Sequence, residues 1–442
     1  MELDRRQLLT AGAAAMAGAT LRACQAVDSF VPRKVLLVDI DDVGWPFLEE
    51  CLAQGDAPEL AALRSSAREY RNFWAAPVCS VFRAKVLTGL ESFRAGNSVG
   101  ANVPSNNMGP FPGPSGQWIT HAMPGRRTKR GKWHLSAGPK SWPELVVEST
   151  EERDGYDEYS GPKGNLQSYH EWSCARIVRG EPAQVIEMRE FATNVTAADA
   201  LADIARGIEF VHVSFNAPHA PHNLPPPANE PPGAIYPGRS RYSDILRHLD
   251  WRLGQLVRAA LSADYIVLLA CDNGTSGEGK GSLAEVGVHT PLFVWGRDVE
   301  RGVSQRLVSA VDLWATVRYL RGCKDRVGTP DSLPFCSEFL SVECATFAER
   351  QFLRVDAFPS YGIEPATATW RRAIRDERWK LVELPDAEAG EDRRALYDLQ
   401  GDPEEQENLL RGELAPEAAL ALQRLGKALE QGVHSLPGNR GG

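Results

Sequence analysis

Three observations predict an α/β fold with a small C-terminal subdomain. Short apolar runs rich in β-formers, Val35 to Val38, Phe210 to Phe215, Tyr265 to Leu269 and Pro291 to Trp295, are bounded by turn residues, as buried strands of an α/β sheet are. Helical patterns lie between them. Over Ser243 to Ala260 the residues Ile245, Leu246, Leu249, Leu253, Leu256 and Val257 fall on one stripe, and Thr196-Ala197-Ala198-Asp199 is expected to open another helix with Thr196 as N-cap. From about Thr369 the pattern changes to a hairpin-like Arg371 to Glu383 and a polar, Asp-Pro-containing tail. The stretch from Ala95 to Pro114 has no periodicity, and so long a loop in a compact α/β protein reads as a functional rim.

The 442 residues are 43% hydrophobic and 24% charged, which suits one large core and a smaller one. A net charge of −9, with no long Lys/Arg block, excludes the basic stripe that nucleic-acid binding needs. An anionic substrate must therefore be captured by local cations. Eight cysteines without paired Cys-x-x-Cys spacing argue against a disulfide scaffold and structural zinc. No stretch after residue 30 approaches the roughly 20 apolar residues of a membrane span.

The N-terminus reads as address, not fold. Arg5-Arg6-Gln7-Leu8-Leu9 precedes a weakly apolar, Ala/Gly-rich run from Thr10 to Leu21 and resembles a bacterial twin-arginine export signal. Export by that machinery implies a periplasmic or extracellular protein. Leu21-Arg22-Ala23-Cys24 loosely resembles a lipoprotein box, so lipidation at Cys24 stays open.

Polar residues gather where the strands end. Asp39-Ile40-Asp41-Asp42 follows the first strand and Cys271-Asp272-Asn273-Gly274 follows another, and open α/β sheets place their sites at such ends. Asp41, Asp42, Asp272 and Asn273 would give the hard oxygen shell that Ca²⁺ or Mg²⁺ prefers; turn or N-cap roles are the alternative. Cys79 stands at the apparent N-terminus of a helix, where free amides favour an anionic group, and Arg83 lies one turn on. Lys132 and His134 are two apart in an extended segment and so share a side. His219 follows a buried strand between prolines, and Lys280 sits in a glycine-flanked loop.

These blocks, in order, resemble the sulfatase family of the alkaline phosphatase superfamily over nearly the whole mature length. The resemblance rests on Asp41-Asp42, the block Cys79 to Gly89, Gly131-Lys132-Trp133-His134-Leu135, Gly155 to Tyr159, Asn216-Ala217-Pro218-His219, Asp272-Asn273-Gly274, Lys280 to Leu283 with Glu285 to Val288, and Val311-Asp312-Leu313. It continues through Arg378-Trp379-Lys380-Leu381 and Leu396 to Leu399. It implies an alkaline-phosphatase-like sandwich, with a large central, mostly parallel sheet flanked by helices and a C-terminal α+β subdomain with an antiparallel sheet. The chain would divide into an export segment (1–30), a catalytic domain (31–350) and a C-terminal subdomain (351–442).

The resemblance further implies a sulfuric ester hydrolase acting on a sulfated small molecule or glycan. Asp41, Asp42, Asp272 and Asn273, with the modified Cys79, would hold Ca²⁺ or Mg²⁺. A maturation enzyme would convert Cys79 to formylglycine, whose hydrated aldehyde attacks sulfur and then expels sulfate. Arg83 would hold the diol and His134 would take the proton that triggers release. Lys132, Lys280 and His219 would ring the sulfate and leaving oxygens. One position departs: Val81 stands where the family's Cys-x-Pro-x-Arg signal has proline, with Phe82 beside it. Tolerated modification, catalysis by unmodified Cys79 and a sulfated-glycan-binding protein without turnover all remain open, as does hydrolysis of a phosphate or phosphonate monoester.

His212, His248 and Trp133 read as structural, His222 and His289 as ambiguous. The six cysteines other than Cys24 and Cys79 read as buried thiols, with Cys336 and Cys344 close enough to pair. The basic run Arg126 to Arg130 reads as a solvated approach that attracts anions.

Overall fold

The computed structural model describes residues 31–94, 99, 118–135, 155–225, 241–323, 329–340, 347–358, 371–385, 387–388 and 392–432. The expected export segment with Cys24, the loop Ala95 to Pro114 apart from Val99, and Cys344 lie outside them. No helix among the described residues is long and apolar enough to cross a membrane.

A ten-stranded sheet organises the molecule. In chain order its strands are β1 (Lys34–Ile40), β2 (Arg68–Trp74), β3 (Arg127–Gly131), β4 (Glu158–Gly161), β5 (Trp172–Val178), β6 (Gln184–Met188), β7 (Phe210–Ser214), β8 (Tyr265–Cys271), β9 (Leu292–Trp295) and β10 (Gly302–Ser309). Their spatial order is β10-β2-β9-β8-β1-β7-β3-β4-β5-β6. The central run β8-β1-β7-β3-β4 is parallel, and β9, β5 and β6 run antiparallel to their neighbours. Helices cover both faces: α1 (Trp45–Gln54), α2 (Pro58–Arg64), α3 (Cys79–Thr88), α4 (Ala192–Ala205), α5 (Arg241–Ser262) and α6 (Ala310–Leu320). Alternation along β1 explains the two cores. Val35 and Leu37 pack with Phe82 and Trp314 of α3 and α6, whereas Leu36 and Val38 pack with Leu249, Leu253 and Leu256 of α5.

The C-terminal hairpin expected over Arg371 to Glu383 is present, widened into a four-stranded antiparallel sheet. Its strands β11 (Leu353–Ala357), β12 (Arg371–Arg375), β13 (Trp379–Glu383) and β14 (Arg394–Asp398) pair in sequence order, and α7 (Pro416–Gln431) lies on one face. That face buries Ile374, Leu381 and Leu396 against Leu425 and Leu429. The other turns Val355, Ala373 and Val382 onto Trp74, Leu283 and Leu307 of the main body.

Two expectations are corrected. Thr196 is not an N-cap: α4 starts at Ala192, four residues earlier, and Thr196 is buried inside it. The Ala192 amide finds the Tyr169 carbonyl, so a neighbouring loop satisfies an end that no side chain caps. Nor is the run Arg126 to Arg130 a solvated approach beyond its first residue, the exposed Arg126. Residues 127–131 form β3, wholly buried between β7 and β4. Each cation there has a nearby acceptor: Arg127 donates to Asp157, Arg130 to Asp203 and Glu158, and Lys129 to Ser214.

Candidate active site at the strand ends

Topology brings the polar clusters together. β1 and β8 are adjacent and parallel with Ile40 opposite Cys271, so Asp41-Asp42 and Asp272-Asn273 leave the sheet side by side. The Asp42 amide donates to Asp272 Oδ1 at 3.1 Å and Asn273 Nδ2 donates to Asp42 Oδ1 at 2.7 Å. Asp42 adopts the left-handed backbone region, φ 65°, which an Asp tolerates better than most residues. On the other flank β7 runs into Asn216 to His219, and the Asp41 amide reaches the Ala217 carbonyl at 3.4 Å.

Cys79 is the first residue of α3, and its thiol donates to Asp41 Oδ1 at 3.0 Å. Lys280 Nζ lies 3.3 Å from the same sulfur and also bonds Asp42. The Gly281 amide bonded to the Pro77 carbonyl at 2.8 Å ties that loop to the entrance of α3. Lys132 bonds Asp41. Gly131 makes this possible: at φ 87° it turns the chain out of β3, and a Cβ there would collide with the Ser214 carbonyl. Arg83 is buried among Asp39 (3.1 Å), Asp272 (3.5 Å) and Asp41 (3.8 Å) and donates to the Lys132 carbonyl. His219 Nε2 stands 3.9 Å from Asp42 Oδ2. His134 is buried at φ 57°, held by Ser80 Oγ on its carbonyl and by its own amide on the Lys163 carbonyl.

Lys132 and His134 therefore do not share a strand face as expected. β3 stops at Gly131, and His134 interacts with the cluster through the charges of Lys132 and Arg83. Burial, reinforced by those two cations, lowers the His134 pKa well below its ordinary value.

The charge pattern shows what the cluster lacks. Burial pushes Asp41 up, but Lys132, His219, Lys280 and Arg83 outweigh it and hold it ionised. Burial and then the Asp41 charge push Asp42 and Asp272 above the usual carboxylate range. Burial and then Asp41 also raise the Cys79 thiol, while Lys280, despite burial, is raised by the surrounding anions. Asp42 Oδ2, Asp272 Oδ2 and Asn273 Oδ1 are buried without hydrogen-bond partners. Reactive atoms of Asp41, Asp42, Cys79 and His219 lie within 4.8 Å of one another. Orphaned, converging oxygens fit a hard divalent cation.

The structure thus gathers Asp41, Asp42, Cys79, Arg83, Lys132, His219, Asp272, Asn273 and Lys280 around one point, with His134 alongside. Of the ambiguous histidines, His222 packs edge-on against Tyr242 beside His219, whereas His289 bonds the Arg71 carbonyl and faces Glu285. Sequence reasoning gave Asp39 no role although it named the residue, and it set His212 aside. The alternation that puts Asp39 on the same side as Asp41 was the available signal.

A thiol at a helix N-terminus, anionic oxygens and a ring of cations thus meet at the ends of parallel strands. The chain belongs to the sulfatase family, whose model matches residues 33–322. It is similar to human (Homo sapiens) arylsulfatase A, 26% identical over 455 aligned residues covering 89% of this chain and 87% of the relative. The fold is shared with the PsFucS1 sulfatase from Pseudoalteromonas sp., at a TM-score of 0.67 and 17% identity over 94% of this chain and 95% of that one. It is also shared with a protein solved in complex with its substrate D-glucosamine-2-N,6-O-disulfate, at a TM-score of 0.68 and 15% identity over 91% and 98% of the two chains.

Proposed function

We propose that this sulfatase-family chain hydrolyses a sulfate monoester, with residues 31–350 carrying the site and 351–442 bracing it. The observation that carries the reading is Cys79 Sγ placed between Asp41 and Lys280 at the head of α3, amid the unpartnered oxygens of Asp42, Asp272 and Asn273. Net, water is consumed, the sulfur–oxygen bond to the ester oxygen breaks, and an alcohol and sulfate leave.

Asp41, Asp42, Asp272 and Asn273 would hold Ca²⁺ or Mg²⁺, and either ion would offset sulfate charge and acidify an attacking hydroxyl. Lys132 and Lys280 supply fixed positive charge to the sulfate oxygens. His219 faces the ester oxygen and returns the proton that the leaving alcohol needs. Arg83 orients the side chain at position 79. His134, which burial and then the charges of Lys132 and Arg83 keep neutral, would take the proton released there as the charge of the group at position 79 changes. A sulfated sugar is the favoured substrate class, since one protein of the same fold was solved with such a sugar as its substrate.

Val81 favours a second reading for the nucleophile. It is the third residue of α3, is fully buried, and its amide bonds the Val78 carbonyl, a bond that proline cannot make. Peptide mass spectrometry across Cys79 decides. A mass about 18 Da below cysteine means formylglycine, and its hydrate masks that loss. An intact thiol with turnover means catalysis by cysteine, and an intact thiol without turnover of aryl sulfate or aryl phosphate means a binding protein. Release of sulfate from an aryl sulfate, lost with chelator, is the expected result.

A further inference from the structure

We propose that Asp39 is a positioning residue that fixes Arg83 against the nucleophile, and that His212, Ser214, Tyr156 and Lys129 form its mount. The inference rests on the hydrolase reading for what Arg83 orients, but not for the geometry. Arg83 faces three carboxylates. Two of them have other duties: Asp41 accepts from Cys79 and Lys132, and Asp272 accepts from the Asp42 amide and has an oxygen toward the cation position. Asp39 touches neither the thiol nor the candidate cation ligands' side chains, and its Oδ2 forms an ion pair with Arg83 Nη1 at 3.1 Å.

Its other oxygen is held from two sides, by Ser214 Oγ at 2.9 Å and His212 Nε2 at 2.8 Å. Strand register sets this up, with Asp39 opposite Ser214 on β7 and Lys129 of β3 opposite His212. The proton arrangement is self-consistent. Lys129 donates to Ser214 Oγ, whose hydroxyl donates to Asp39, and His212 donates from Nε2. That leaves His212 Nδ1 to accept from the Tyr156 hydroxyl at 2.7 Å. A neutral His212 is required, and burial, then Lys129, brings its pKa down to about 4.

Strands buried on both faces normally carry Val, Ile and Leu at such positions. Here β1, β7 and β3 each place a polar side chain inside, an arrangement that gains little stability, and the network's end toward the candidate site is Arg83. A small cavity of about 10 Å³ adjoins Asp39, Arg83 and His212, its remaining wall largely apolar with Phe82, Leu87 and Trp133, and Arg83 Nε and Nη2 have no hydrogen-bond acceptor. Without the Asp39 charge, Arg83 has room and reason to shift.

The test is a double-mutant cycle on an aryl sulfate. Asp39→Asn is expected to lower kcat about 10²-fold, the scale of a misplaced group near the chemistry, with KM changed less than about threefold and bound cation unchanged. In an Arg83→Lys background the same change is expected to cost less than about threefold. The crystal structure of Asp39→Asn should show the Arg83 guanidinium displaced by about 1 Å. Equal losses in both backgrounds, full kcat in Asp39→Asn, or an unmoved Arg83 overturns the inference. A wild-type chain that turns over no sulfate ester sinks the hydrolase reading instead, and the position of Arg83 still decides this one. Should Asp39→Asn fail to fold, His212→Phe removes one strut and keeps the charge; about a tenfold kcat loss at constant KM is then expected, and none overturns the inference.

Discussion

Strand β3 and the strand-end cluster are both buried and both crowded with charge, yet they are wired differently. In β3 each guanidinium meets carboxylates whose oxygens all accept hydrogen bonds: Arg130 fits Asp203 through two nitrogens and Glu158 through a third contact, Arg127 meets Asp157, and Arg206 shares Glu158 and Asp203. At the cluster, Asp41 is shared among Lys132, Arg83 and Cys79, while one oxygen each of Asp42, Asp272 and Asn273 accepts no hydrogen bond. Closed pairing holds a scaffold together; open pairing leaves groups free to take a cation and an anion. Burial of charge therefore does not mark a site, and neither does one unsatisfied atom, since Glu338 and Arg321 each bury one elsewhere; the cluster is set apart by several such oxygens converging beside one thiol.

The sharpest way to break the comparison is at Cys79. Cys79→Ala is expected to reduce sulfate release from an aryl sulfate by more than about 10³-fold, measured by initial rates, because it removes the proposed nucleophile and leaves the rest of the cluster standing. Next comes Asp272→Ala, which removes one of the unpartnered oxygens: metal analysis should show bound divalent cation lost, with activity down by about 10²-fold or more. Retained cation at full activity would undo the metal assignment.

The closed region should respond in the opposite currency. Asp203→Ala leaves Arg130 buried without its bidentate partner, and denaturant unfolding should show a loss of about 3–5 kcal/mol, with kcat of the folded protein unchanged. The smallest effect is expected at Glu158. Hydrogen bonds from Arg206, opposed by burial and aided by Arg130, bring its carboxyl from 4.5 down to about 2. The folded state then holds fewer protons than the unfolded one between these values, so this stabilisation is complete above pH 4.5 and is lost as pH falls through about 2. Glu158→Gln should flatten the acid limb of the stability profile in that window and leave neutral-pH turnover alone.

Much of the fold was legible because its signals are local. Val35 to Val38 and Tyr265 to Leu269 have the composition of doubly buried strands, and both extend by two or three residues in the structure. The α5 stripe from Ile245 to Val257 is a helical period that any chain must bury. Thr196 misled because a cap is only one way to satisfy a helix end, and Tyr169, distant in sequence, supplied another. Arg126 to Arg130 misled for the same reason at larger scale: a run of cations looks solvated until the partners Asp157, Glu158 and Asp203 arrive from other elements.

The sequence alone determined the residue types at the site, since Asp41, Asp42, Cys79, Arg83, Lys132, His134, His219, Asp272, Asn273 and Lys280 each stand in a short block with its own chemical character. It also determined the family those blocks resemble. Only tertiary structure decided which of them meet and in what state. Parallel pairing of β1 with β8 and β7 sets Asp41 beside Asp272 and raises Asp39 onto Ser214 and His212. Side-chain identity is carried by one residue, but a distance, a desolvation and a shared proton belong to pairs far apart in the chain, and those exist only once the sheet has closed.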